Sequence, residues 1–148
     1  MPYFTYDTSV FIARRLTDFR QMPQNFMLSA VVLMELTVSA DDISLRKIYE
    51  LAFRQYQEDN LLIVPNEEDW LLASKILFLL THGRRGAQKG KLQRLPAGAS
   101  QRLALDVLIA VSARRWKTQV VTDNWADFKA IQCYCNTTVI RASQFFRR

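Results

Sequence analysis

Five short β-prone runs alternate with longer segments of helical period, and this alternation limits the fold more than any other feature of the chain. The runs are Tyr3 to Tyr6, Phe26 to Leu28, Leu61 to Val64, Gln119 to Val121 and Thr138 to Ile140. Thr8 or Ser9 is placed to cap a helix reaching about Leu16, with Val10, Phe11, Ala13 and Leu16 apolar. Ser29 precedes a second helix through Val38. Asp41 and Asp42 open a third, with Leu45, Ile48, Tyr49, Ala52, Phe53 and Tyr56 at helical spacing. Asn66, with Asp69 three residues on, starts a fourth, in which Trp70, Ala73, Leu77 and Leu80 share a face and which Gly83 ends. Residues 83–99 form the one long loop. Ser100 is placed to cap a helix reaching about Trp116, and Trp125 to Ile131 forms a short last one. The alternation predicts an α/β sandwich around a mostly parallel sheet. In such sheets function gathers at the carboxyl ends of the strands. Asp7 and Asp123 fall there.

A chain of 148 residues is predicted to form one domain, 1–148, with a core of its own. Its longest apolar runs, such as Ile76 to Leu80, fall far short of the roughly 20 residues a membrane helix needs. The N-terminus has neither a basic region nor a hydrophobic stretch of signal type, which predicts a cytoplasmic protein. Cys133 and Cys135 read as reduced thiols near a strand, since a zinc site wants more Cys or His ligands. The single histidine, His82, excludes mechanisms built on a His pair. Its place near a helix end predicts a capping or charge role.

Most of the 14 acids lie among polar residues or at helix starts: Asp18, Asp41, Asp42, Glu50, Glu58, Asp59, Glu67, Glu68 and Asp69. Three keep different company. Glu35 stands in Val-Val-Leu-Met-Glu-Leu, Asp106 in Leu-Ala-Leu-Asp-Val-Leu-Ile, and Asp7 follows a string of aromatics. Such flanks imply burial, and an unpaired buried carboxylate costs several kcal/mol. Arg102, four residues before Asp106, offers one basic partner; Glu35 has none within four positions. If the three acids converge, repulsion raises their pKa values, and a divalent cation relieves the conflict. Oxygen donors without His or Cys point to Mg²⁺ or Mn²⁺. Such an ion suits phosphodiester hydrolysis.

The net charge of +6 favours a polyanionic partner. From Leu71 to Leu105 there is no acid, while Lys75, Arg84, Arg85, Lys89, Lys91, Arg94 and Arg102 all fall there. The segment reads either as a solvated basic loop or as a contact to a phosphate backbone.

Four motifs carry a resemblance: Tyr6-Asp7-Thr8-Ser9-Val10, Val32-Leu33-Met34-Glu35-Leu36, Leu105-Asp106-Val107-Leu108-Ile109-Ala110, and Thr122-Asp123-Asn124-Trp125-Ala126-Asp127-Phe128. In this order and spacing the chain resembles PIN-domain nucleases, and among them the VapC-type toxins of type II toxin–antitoxin systems. The resemblance spans the whole chain. It implies a three-layer α/β/α sandwich and an endoribonuclease, with Asp7, Glu35 and Asp106 as ligands of Mg²⁺ or Mn²⁺. It also implies a fourth acid in the closing motif, where Asp127 leads, Asp123 is a rival and Asn124 a supporting ligand or water holder. Thr8, Ser9 and Thr122 are implied to orient carboxylates by hydrogen bonds. An RNA substrate, a dimer and an antitoxin entering the active-site groove are implied as well. The basic segment is long for such a toxin, and Arg84, Arg85, Lys89, Lys91 and Arg94 suit either RNA or an acidic antitoxin.

Other readings fit less of the chain. Asp7-Thr8-Ser9-Val10 is similar to the nucleophile motif of haloacid-dehalogenase phosphatases, which want a second Asp where Ser9 stands. A receiver domain wants paired acids before the first helix. A PIN-type nuclease of RNA processing, and a PIN-like module that binds RNA or protein without cutting, share the fold but not the toxin role.

Overall fold

The computed structural model describes residues 1–82 and 99–147. In chain order the elements are β1 (Phe4–Tyr6), α1 (Thr8–Arg14), a 3-10 turn (Phe19–Gln21), β2 (Leu28–Ser29), α2 (Ala30–Val38), α3 (Ile43–Glu58), β3 (Leu62–Ile63), α4 (Glu67–His82), α5 (Ala99–Arg115), β4 (Gln119–Thr122), α6 (Trp125–Gln132), β5 (Val139–Arg141) and α7 (Ala142–Phe145). All strand pairings are parallel. Strands β1, β4 and β5 form one sheet and β2 and β3 another. A parallel bridge between Phe4 and Phe26 joins them, with Met27 N donating to Phe4 O at 2.9 Å. The order across the molecule is therefore β3-β2-β1-β4-β5.

The chain runs outward from β1 to β3, returns to β4 on the other side of β1, and continues to β5. With the right-handed crossovers that parallel strands adopt, this order puts the helices of the two halves on opposite faces, as in a three-layer α/β/α sandwich. An aromatic cluster marks one face. The rings of Phe4 and Tyr6, two residues apart on β1, pack on Phe26 and on Phe145 of α7, and Tyr6 also meets Phe11 of α1. In the second half, α4 and α5 lie against each other.

Several local expectations shift. The cap of α1 is Asp7 itself, whose Oδ1 accepts from Val10 N at 3.3 Å, rather than Thr8 or Ser9. The helix stops at Arg14 because Arg15 turns left-handed (φ 52°). Ser29, expected to precede α2, and Asp42, expected with Asp41 to open α3, are the caps of those helices. On α4 the buried positions are Asp69, Ala73 and Ile76, whereas Trp70 is exposed. The buried stripe is rotated because α5 covers the helix from the side. The helix α5 begins at Ala99, so Ser100 falls within it rather than before it. The 3-10 turn and α7 are too short to display a period, which is why the sequence does not announce them. The Gly83 helix stop and the loop 83–98 lie outside the described residues.

Asp69 is not the ordinary surface acid its polar flanks suggest. Only 3% of it is exposed. It forms a reciprocal cap with Asn66, each backbone N–H donating to the other's side chain, at 2.9 and 3.0 Å. Arg115, at the end of α5, then donates from Nε to Asp69 Oδ2 at 2.8 Å and from Nη2 to Val64 O at 2.7 Å. One guanidinium thus ties the close of β3, the start of α4 and the end of α5. The cysteines are free, Cys133 exposed and Cys135 buried. His82 is the last described residue of α4, its Nδ1 at 2.9 Å from Phe78 O and its ring stacked on Phe78. Among the described residues no helix is long and apolar enough to cross a membrane.

Candidate active site

Two strand ends begin the site. Asp7 follows β1, and its backbone N–H donates to Val121 O at 3.1 Å, continuing the pairing with β4. Asp7 is 1% exposed, and three donors hold its carboxylate. Ser9 Oγ donates to Oδ1 at 2.6 Å, Val10 N to the same oxygen, and Thr122 Oγ1 to Oδ2 at 2.6 Å. Thr122 ends β4 and also accepts from Asn124 N at 2.8 Å. Ser9 accepts from Asp123 N at 3.1 Å. The two turns after β1 and β4 are therefore locked together through hydroxyls, and Asp7 is at the knot.

Three helices, α2, α5 and α6, bring Glu35, Asp106 and Asp127. Glu35, on α2, accepts from Thr8 Oγ1 at 2.8 Å. Asp106, on α5, accepts from Asn124 Nδ2 at 3.1 Å, and the same amide donates to Asp127 Oδ2 at 2.9 Å. Asn124 thus holds Asp106 beside Asp127, and both lie among the acids. The three hydroxyl residues named from the sequence all hydrogen-bond to carboxylates. Of the two rivals in the closing motif, Asp127 is the one Asn124 draws to Asp106; the charge of Asp123 is felt at Asp7. Arg84, Arg85, Lys89, Lys91 and Arg94 lie outside the described residues.

The electrostatics follow from this convergence. Burial lifts Asp7 above the ordinary carboxylate range, against the opposing pull of its hydrogen bonds from Ser9, Thr122 and Val10. Burial likewise raises Glu35; the bond from Thr8 opposes it and the charge of Asp7 adds to it. Asp106 is pushed up to about 7, first by burial and then by the charges of Asp7, Glu35 and Asp127. Among the described residues no Lys or Arg forms an ion pair with any of the four, Arg102 included. Nor do any three acid, His or Cys side chains there stand close enough to hold one ion.

This arrangement predicts an unusual pH dependence of stability. The folded Asp106 binds its proton more tightly than the unfolded chain does. Its contribution is full below the ordinary aspartate pKa and is lost as pH rises through about 7. In excess EDTA, the melting temperature should therefore rise as pH falls from about 8 to about 5.5. The rise should be smaller in Asp106→Asn. Thermal melts of both proteins across that range check this, and identical pH profiles would remove Asp106 as the cause.

No family profile matches the sequence, and no curated protein matches it either. The likeness to known proteins is one of fold. A chain of the VapBC-5 toxin–antitoxin system of Mycobacterium tuberculosis superposes with a TM-score of 0.56 at 21% identity, over 96% of this chain and 100% of that one. DNA-bound VapBC from Salmonella typhimurium gives 0.57 at 20% identity, over 95% and 98%. FitAcB from Neisseria gonorrhoeae gives 0.56 at 16% identity, over 93% and 96%. The PIN-like α/β/α fold implied by the four motifs is thus the fold observed.

Proposed function

We propose that this chain is a metal-dependent endoribonuclease that hydrolyses RNA phosphodiester bonds and is the toxin of a toxin–antitoxin pair. The carrying observation is the acid cluster at the carboxyl ends of β1 and β4. Burial first, and then the charges of Asp7, Glu35 and Asp127, push the pKa of Asp106 up to about 7, and among the described residues no Lys or Arg forms an ion pair with these acids. Selection of so costly a group of charges is explained by a cation. The donor set suits Mg²⁺ or Mn²⁺, being hard oxygen throughout. The shared fold with VapBC and FitAB proteins supports the toxin role, and with it an antitoxin partner; a homodimer belongs to the same proposal and rests on the motif resemblance alone.

Asp7, Glu35, Asp106 and Asp127 are the residues that would hold the ion, with Asn124 and Asp123 beside them. When bound, the ion supplies an acidified water and neutralises charge on the phosphoryl oxygens. The chain's own part is orientation. Ser9 and Thr122 fix both oxygens of Asp7, Thr8 aims Glu35, and Asn124 keeps Asp106 and Asp127 on one side of the site. Incubation with structured RNA should give discrete cuts in Mg²⁺ or Mn²⁺ and none in excess EDTA. Undiminished cleavage in EDTA overturns the reading.

The basic segment carries a separate expectation. Neutralising Arg84, Arg85, Lys89 and Lys91 should weaken RNA binding and reduce the slope of log affinity against log salt by about 3. A salt titration with labelled RNA checks this; an unchanged slope makes the segment a protein-binding surface instead.

A further inference from the structure

A polyanion must be brought to a cluster of acids, and one surface beside that cluster is built to do it. Trp125 directly follows Asn124, the residue whose amide joins Asp106 to Asp127. Trp125 is half-buried and its ring meets two cations, Lys129 Nζ at 5.3 Å and Arg141 Cζ at 4.8 Å from the centroid. Arg141 ends β5 in register with Thr122, the residue whose hydroxyl holds Asp7. Both cations are exposed, and among the described residues neither forms an ion pair. An aromatic ring with two cations at it thus adjoins, through Asn124 and the Arg141–Thr122 pairing, the residues that hold the acids.

We propose that Trp125, Lys129 and Arg141 form a platform that binds single-stranded RNA beside the acid cluster, Trp125 stacking a base and the two cations pairing with flanking phosphates. The proposal rests on the nuclease reading and adds to it the strand form of the substrate and its path. Exposed cation–π contacts are weak, whereas a base stacked on an aromatic ring gains more. A base can therefore displace a cation from the ring and free it for a phosphate. In an A-form duplex the bases already stack on one another, so an unpaired segment fits the platform better.

The test uses Asp106→Asn protein, which should hold RNA uncut, and a single-stranded oligouridine of about 12 nucleotides. Trp125→Ala should weaken binding about tenfold without changing its salt slope, and Trp125→Phe should keep most of the affinity. Arg141→Gln and Lys129→Gln should each lower the salt slope by about 0.7. In a Trp70→Phe/Trp116→Phe protein, the oligouridine should quench the remaining fluorescence of Trp125, a measurement that does not depend on Trp125→Ala folding. Unchanged affinity in Trp125→Ala, or no quenching on binding, overturns the platform. If the wild-type protein cuts RNA with the same KM as Trp125→Ala, the platform falls and the nuclease stands. If the wild-type protein neither binds nor cuts RNA, the nuclease reading falls and the platform with it.

Discussion

Asp106→Asn should lower RNA cleavage by at least about 100-fold while leaving the protein folded and, in EDTA near neutral pH, more stable than its parent. The substitution preserves shape and removes one charge. Asp106 is the acid on which the others press hardest, so its neutralisation relieves repulsion from Asp7, Glu35 and Asp127 together. Its single side-chain bond comes from Asn124, and an Asn carbonyl can accept it as well. Asp7→Asn is a less clean variant. Asp7 caps α1 and accepts bonds on both oxygens, so an amide must present a donor to either Ser9 or Thr122. Two measurements separate catalysis from stability. A cleavage assay with mapped cuts should show loss of activity, and thermal melting with and without Mg²⁺ should show a smaller metal-induced rise than in the parent. Retention of cleavage by Asp106→Asn would remove this residue from the mechanism. A fall in its metal-free stability would contradict the account of the acid cluster.

Arg115→Ala should destabilise the fold by about 3 kcal/mol, near the lower end for breaking a buried pair because the guanidinium is partly exposed. The loss is larger than that of a surface ion pair for two reasons. Asp69, with its side chain only 4% exposed, is left without its counter-charge, and Val64 O loses its donor from Nη2. The expected fall in melting temperature is roughly 10 °C. Arg115→Met with Asp69→Asn should recover part of it, since the polar cap with Asn66 survives and no buried charge is stranded. Urea unfolding of the single and double variants gives the comparison. Equal losses in both would place the effect in packing of the Arg115 stem rather than in the charge. In neither case should the dependence of residual cleavage on Mg²⁺ change, because Arg115 does not touch the acid cluster.

The expectations that held best concern residues whose local chemistry speaks for itself. Ser29 and Asp42 cap helices because a short polar side chain satisfies N–H groups three residues ahead, a strictly local matter. The apolar flanks of Glu35 and Asp106 marked them out as unusual acids, but only Asp7 is fully buried as those flanks implied, while Glu35 and Asp106 are half-buried. Parallel pairing followed from the alternation of strands with helices, since each crossover needs a helix. Hydroxyls at 8, 9 and 122 had to be named by resemblance. Thr8 and Thr122 act on Glu35 and Asp7 from 27 and 115 positions away, contacts that no spacing along the chain reveals, whereas Ser9 bonds Asp7 only two residues away.

What escaped the sequence is of the same kind. Asp69 has polar neighbours on both sides, and only the packing of α5 on α4 buries it against Arg115. Arg141 and Trp125 are 16 positions apart in the chain and meet because β5 pairs beside β4. Alternation of elements, helix caps and the presence of unusually placed acids were therefore determined by the sequence itself. Only the tertiary structure decided that those acids converge, that Asn124 draws Asp127 rather than Asp123 to Asp106, and that basic and aromatic groups adjoin the residues that hold them. Caps and periodicity arise within a few residues of one another, whereas convergence depends on which strands become neighbours, and the parallel sheet makes neighbours of residues more than a hundred positions apart.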